Sequence, residues 1–360
     1  MKRILSKQIA MLAVLMMVFA FAGCSDDDDD SPTNPGGGGA TDQVSVVTTA
    51  GDAYMASSAW AGRNISAADF FTGNVDRGID AYTPDNPNYF VVDLRSQADF
   101  DYARIRGAEL WSLSDVITNF DQLPTDQTII FTCKTGQTAS YATSIVNVIG
   151  TQTGHTAKNL LFGANGYLPP QHVGNGNPDY RYPTDGTMAP NFVVTAAPAK
   201  PAAGDFPTVM TEAETAQAVL LERAAAIIGD WGNGDARVGD IVAFAADADN
   251  MVINFWGETD YLNGHFPGAY QYTPTADVRS DGALNTLPVD KAIGIYCWTG
   301  QTSAQMAGYL RMVGYDAKTI MYGTNGMAYD RTNYPALTHT FTPAGADYMA
   351  VVDGTWDDVQ

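Results

Sequence analysis

A six-residue frame, Cys-x-Thr-Gly-Gln-Thr, occurs twice in this chain, as Cys133–Thr138 within FTCKTGQTAS and as Cys297–Thr302 within IYCWTGQTSA. Other landmarks recur around it in the same order. Val91-Val92-Asp93-Leu94 is matched by Val252-Ile253-Asn254-Phe255, Asp99-Phe100 by Asp260-Tyr261, and Gly107-Ala108 by Gly268-Ala269. Downstream, Phe162-Gly163-Ala164-Asn165-Gly166 is matched by Tyr322-Gly323-Thr324-Asn325-Gly326. Landmarks kept in one order at a nearly constant offset imply a duplicated domain, so whatever the first copy folds into, the second repeats.

Within each copy short apolar runs alternate with helical patterns. Tyr89–Leu94 and Thr128–Thr132, with Met251–Phe255 and Ala292–Tyr296, have the look of strands buried on both faces. After each cysteine the apolar residues fall at helical spacing: Tyr141, Ala142, Ile145, Val148 and Ile149, then Met306, Leu310 and Val313. Those helices are expected to close at Gly150 and Gly314. Asn159–Phe162 and Thr319–Tyr322 are expected to be further strands. Strand-helix-strand repetition predicts an α/β fold of two domains, each a parallel sheet with helices on both faces.

A cysteine at the carboxyl end of a buried parallel strand, with a tight turn into a helix, stands where open α/β sheets bind ligands. Loop N–H groups and the positive end of the helix then converge on the sulfur, and both favour a nucleophilic thiolate of lowered pKa. Cys133 and Cys297 are the candidate nucleophiles. The expected substrate-binding residues are Lys134, Thr135, Gly136, Gln137 and Thr138 in the first loop, with Trp298, Thr299, Gly300, Gln301 and Thr302 in the second. Lys134 is suited to an anionic ligand, and Trp298 at the matching position is not. The plain alternative is a small residue filling space at a strand end. Each cysteine is expected to be a free thiol in its own domain.

The amino terminus sets the compartment. Lys2, Arg3 and Lys7 precede an apolar run from Ile9 to Phe21, which ends at Ala22-Gly23-Cys24. That three-part form is an export signal, too short to span a membrane stably. Its end resembles a bacterial lipobox, which implies cleavage before Cys24 and acylation there; an ordinary signal peptide is the alternative. Ser25, rather than aspartate, after the cysteine leans toward the outer membrane. Asp26–Asp30 and Gly36–Gly39 have nothing apolar to bury and read as a tether. The expected segments are a leader at 1–23, a lipidated tether at 24–45, domains at 46–195 and 207–340, a linker at 196–206, and an acidic tail at 341–360. The formal charge of −21 becomes −24 when Lys2, Arg3 and Lys7 are removed. Such acidity argues against nucleic acid and against docking on anionic lipid, leaving the acyl chains as the membrane contact. Simple solubility accounts for it.

Taken together, Val91-Val92-Asp93-Leu94-Arg95, Asp99-Phe100 and Gly107-Ala108 resemble the opening of a rhodanese domain. Asn263-Gly264-His265-Phe266-Pro267-Gly268-Ala269 is similar to that family's Gly-His-Ile-Pro-Gly-Ala motif, and Cys133–Thr138 to its six-residue active-site loop. The likeness spans roughly residues 60–170 and 210–330. It implies a sulfurtransferase that moves sulfane sulfur from a small donor to a thiol or cyanide-like acceptor through a cysteine persulfide, with no cofactor and no metal. The alternative it leaves is an accessory lipoprotein that binds a protein partner at the cell envelope. Asn254-Phe255-Trp256 departs from the Asp93-Leu94-Arg95 pattern, and Ala103-Arg104-Ile105-Arg106 stands where the second copy has Gly264-His265-Phe266-Pro267. A cysteine–histidine hydrolase or a metal site lacks ligands, because His155, His172, His265 and His339 form no spacing motif. A cysteine phosphatase would need a longer loop closing on arginine.

Overall fold

A computed structural model describes residues 40–74, 88–105, 107–168 and 192–328. The expected leader, Cys24, most of the tether, Arg106, His172, His339 and the acidic tail lie outside the described residues. The strands are β1 Thr41–Asp42, β2 Asn64–Ile65, β3 Tyr89–Asp93, β4 Glu109–Leu110, β5 Thr128–Thr132, β6 Thr156–Leu160, β7 Met210–Thr211, β8 Arg237–Val238, β9 Asn250–Asn254, β10 Tyr270–Gln271, β11 Ala292–Tyr296 and β12 Ala317–Ile320. Among the described residues β1 pairs with β7, and the other ten form two five-stranded sheets, ordered β2-β6-β5-β3-β4 and β8-β12-β11-β9-β10. Every neighbouring pair in both is parallel. The second order repeats the first strand for strand. In each sheet the cysteine follows the central strand, β5 or β11.

β5 and β11 run as expected, because Ile129–Phe131 and Ile293–Tyr296 are buried on both faces. β6 and β12 stop earlier than expected, at Leu160 and Ile320. Phe162 and Tyr322, expected to end those strands, instead adopt left-handed conformations with φ of 63° and 64°. The helix after Cys133 runs Gln137–Thr153 and closes on Gly154, past the expected stop at Gly150. A Cβ on Gly150 would lie 2.1 Å from the His155 carbonyl oxygen, so that glycine serves a close backbone approach inside the helix. The helix after Cys297, Gln301–Val313, does close on Gly314.

The two halves meet through these cysteine helices and the helices Val44–Ala56 and Ala216–Ile227. A Cβ on Gly308 would sit 3.1 Å from the Tyr141 carbonyl oxygen, and one on Gly51 only 2.0 Å from the Tyr309 ring. One apolar cluster crosses the boundary, joining Tyr54, Ile145 and Val148 of the first half to Leu220, Tyr309 and Met312 of the second. Fully burying one such large side chain contributes about 1.5–3 kcal/mol, so the shared cluster binds the halves firmly. β1 and β7 add an antiparallel bridge between the halves, Thr41 opposite Thr211. From Ala40 onward the chain is one compact unit, in which each half keeps its own five-stranded parallel sheet. Two edges differ from those expected. Thr41–Asp42 lies in a strand, not in the tether. Phe192, placed with the first domain, packs against Val238 and Ile241 of the second half, and Val193 exchanges both backbone hydrogen bonds with His265.

Candidate active site

Cys133 is the first residue beyond the carboxyl edge of β5. Gly136, with φ of 80°, makes the left-handed turn that starts the helix and aims successive N–H groups inward. The Cys133 sulfur accepts hydrogen bonds from the Gly136 N–H at 3.1 Å and the Ala139 N–H at 3.5 Å. At the second site Gly300 has φ of 78°, and the Cys297 sulfur accepts from the Ser303 N–H at 3.4 Å. The Cys297 thiol donates to Ser303 Oγ at 3.6 Å, and that hydroxyl is tied in turn to Thr319 and the Gly300 carbonyl. Ala139 and Ser303 were not among the residues expected to take part. Both cysteines are free thiols and both are buried, Cys133 at 3% exposure and Cys297 at 2%.

The cradle matches the expected one, but its electrostatic result in Cys133 does not. Burial pushes the Cys133 thiol up from its ordinary value. The Ala139, Thr135 and Gly136 N–H groups and the Thr138 hydroxyl pull it down without offsetting that burial. The neighbouring cation is also compensated. Lys134 Nζ lies 3.1 Å from Asp99 Oδ2, and Asp99 is buried, so the lysine is anchored rather than reaching outward.

A second ion pair lies buried at the end of β3, the strand beside β5. Arg95 Nη2 lies 2.7 Å from Asp93 Oδ2, with side-chain exposures of 1% and 0%. The same guanidinium nitrogen donates to the Ala103 carbonyl oxygen at 2.5 Å. In the second half Asn254 and Trp256 occupy the matching positions, and Trp256 stacks on Trp298 with ring centroids 5.0 Å apart. The first half thus carries two salt bridges where the second carries two stacked indoles.

The remaining loop residues divide by role. Thr135 and Thr299 accept side-chain hydrogen bonds from Gln137 and Gln301 of their own loops, and Thr302 is half-buried on the first turn of its helix. Gln137 and Gln301, expected to bind substrate, are buried at 0% and 1% and reach into the opposite half. The glycine turns downstream, for which the sequence suggested no role, close each loop from behind. The Ala164 N–H donates to the Cys133 carbonyl at 2.7 Å, and the Thr324 N–H to the Cys297 carbonyl at 2.9 Å. Asn165 Nδ2 donates to the Lys134 carbonyl at 2.6 Å. His265 is buried, its Nδ1 2.9 Å from the Tyr261 carbonyl, and burial pulls its pKa down, which suits a neutral packing residue. His155 is half-buried, its ring nitrogens at Thr153 Oγ1 and the Leu123 carbonyl.

Residues 77–168, which include the Cys133 loop and the turn behind it, match the family described as Rhodanese-like domain. This segment is a rhodanese-like domain. The Cys297 loop lies outside the matched residues. Comparison with curated proteins finds no match. Among solved structures, a rhodanese-like domain protein from Staphylococcus aureus is 13% identical over 29% of this chain and 89% of its own, with a TM-score of 0.23. A thiosulfate sulfurtransferase from Pseudomonas aeruginosa is 14% identical over 76% of this chain and 46% of its own, at 0.25. A probable thiosulfate sulfurtransferase is 13% identical over 70% of this chain and 96% of its own, at 0.26.

Proposed function

We propose that this protein is a sulfurtransferase in which Cys133, and with it Cys297, carries sulfane sulfur as a persulfide. The observation that carries the reading is the Cys133 sulfur at the head of the Gly136 and Ala139 N–H groups, inside the rhodanese-like segment. The cysteine first loses its proton to solvent. The thiolate then attacks the outer sulfur of a donor such as thiosulfate or a polysulfide; a new S–S bond forms as the donor's own breaks, and sulfite or the shortened polysulfide leaves with the electron pair. The loop N–H groups stabilise negative charge on the adduct. A thiol or cyanide-like acceptor then attacks the terminal sulfur and releases the cysteine thiolate, so atoms and charge balance without a cofactor. In this reading the second half is a rhodanese-like domain as well, which the matching strand orders favour.

The alternative, an accessory module that holds a partner protein at the envelope, draws support from the burial of both sulfurs and the raised pKa of Cys133. Incubation with thiosulfate followed by intact-protein mass measurement separates the two. A sulfurtransferase gains the mass of one sulfur atom on its cysteine peptides and returns it to cyanide; an unchanged mass over the whole pH range sinks the catalytic reading.

We further propose that Cys24 is lipidated and anchors the protein to the bacterial envelope, with the outer membrane favoured by Ser25. The protein should partition into detergent and Cys24→Ala should not; a variant still membrane-bound and acylated overturns the assignment.

A further inference from the structure

We infer that Gln137 and Gln301 are positioning residues that act in trans, each fixing the cysteine loop of the opposite half. This deepens the sulfurtransferase reading, since it takes Cys133 and Cys297 as the reactive groups. Gln301 Oε1 accepts the Phe162 N–H at 2.8 Å, and Gln137 Oε1 accepts the Tyr322 N–H at 2.8 Å. A backbone N–H can only donate, so each amide must present its oxygen there.

What each glutamine holds is the hinge of a loop. Phe162 and Tyr322 are bulky residues at positive φ, a conformation that persists only when its surroundings impose it. The next residues, Gly163 and Gly323, pass so close that a Cβ on either would lie 2.1 Å from the cysteine carbonyl oxygen. The N–H groups that follow bind that carbonyl and the carbonyl of the next loop residue. The path therefore runs from Gln301 to Phe162, through Gly163 and Ala164, to the backbone of Cys133. Its mirror runs from Gln137 through Tyr322, Gly323 and Thr324 to Cys297.

Contact between the loops is equally close from the other side. A Cβ on Gly136 would meet Gln301 Oε1 at 2.2 Å, and one on Gly300 would meet Gln137 Oε1 at 2.4 Å. Each glutamine also braces its own loop through Thr135 or Thr299, at 3.2 and 3.3 Å. The trans bonds are shorter, 2.8 Å each, and each ties down the half-buried backbone N–H of a residue at positive φ.

The test is site-resolved alkylation of the full-length protein across pH, with Cys133 and Cys297 peptides quantified separately. It needs no sulfur donor, so it stands even if sulfur transfer is never detected. Gln301→Met keeps the side chain's size and removes the acceptor; it should change the Cys133 rate by at least about threefold and the Cys297 rate by less. Gln137→Met should do the converse, and Gln301→Glu, which keeps an acceptor oxygen, should restore the parent profile at Cys133. Should a methionine variant fail to fold, Gln301→Asn, which shortens the reach by one methylene, gives the same readout. The inference is overturned if each variant acts chiefly on its own loop's cysteine, if both cysteines respond equally, or if neither responds.

Discussion

Cys133→Ser is expected to lower thiosulfate-to-cyanide sulfur transfer by at least about a thousandfold, and Cys297→Ser by less than about tenfold. A serine hydroxyl in the same cradle stays protonated and forms no persulfide, so the first substitution removes the reacting atom itself. The inequality between the sites follows from their walls. Around Cys133 two cations, Arg95 and Lys134, stand within salt bridges, whereas the corresponding residues beside Cys297 are Trp256 and Trp298. Arg95 and Trp256 are buried, so the difference that reaches the loop surface is the half-buried Lys134 ammonium at one site and the half-buried Trp298 indole at the other. Steady-state rates of the two single variants decide the matter, and the reverse order of loss refutes the assignment.

Asp93→Ala is expected to destabilise the protein by about 3–5 kcal/mol, because it strands the Arg95 guanidinium in the core without its carboxylate. Arg95 donates to both oxygens of Asp93 through Nε, at 3.0 and 3.1 Å, and its Nη2 is shared with the Ala103 carbonyl. Removing both charges together, as Asp93→Leu with Arg95→Met, should recover most of the loss, since a buried pair replaced by apolar groups of similar size is often neutral. The second half already does without this pair, with Asn254 and Trp256 in its place. Denaturant midpoints measure the effect. A single variant losing less than about 1 kcal/mol would show the pair to be reachable by water.

Much of this arrangement could be read in the sequence. Thr128–Thr132 and Ala292–Tyr296 were legible because a strand buried on both faces leaves an unbroken apolar run, and the glycine after each Cys-x-Thr announced the left-handed turn. The two parallel sheets followed from the alternation of strand and helix. Phe162 and Tyr322 misled, since an aromatic residue after a strand pattern extends the pattern by composition while its backbone has already turned. Gly150 misled in the same way: only the fold reveals that a carbonyl passes where its side chain would be. The direction of the Cys133 shift depends on how completely the sulfur is covered, and the role of Gln301 on a partner far away in the chain. Neither leaves a local mark.

The glutamine exchange has the form of a two-fold dimer contact, in which one surface is both giver and receiver. A lone first half would carry a complete set of such parts, Gln137 to offer and the Phe162 N–H to accept. The symmetry is nevertheless broken beside it. Arg63 Nε donates to Gln305 Oε1 at 2.7 Å and Gln305 Nε2 to Asn64 Oδ1 at 3.0 Å, while the matching positions hold Ala236, Tyr141 and Arg237. Two first halves would set Tyr141 against Arg63, and two second halves Gln305 against Ala236, so neither like pairing would repeat the Arg63–Gln305 hydrogen bond. Joining them in one polypeptide replaces an encounter between molecules with a fixed local concentration. The pairing that shapes both cysteine loops is then indifferent to dilution.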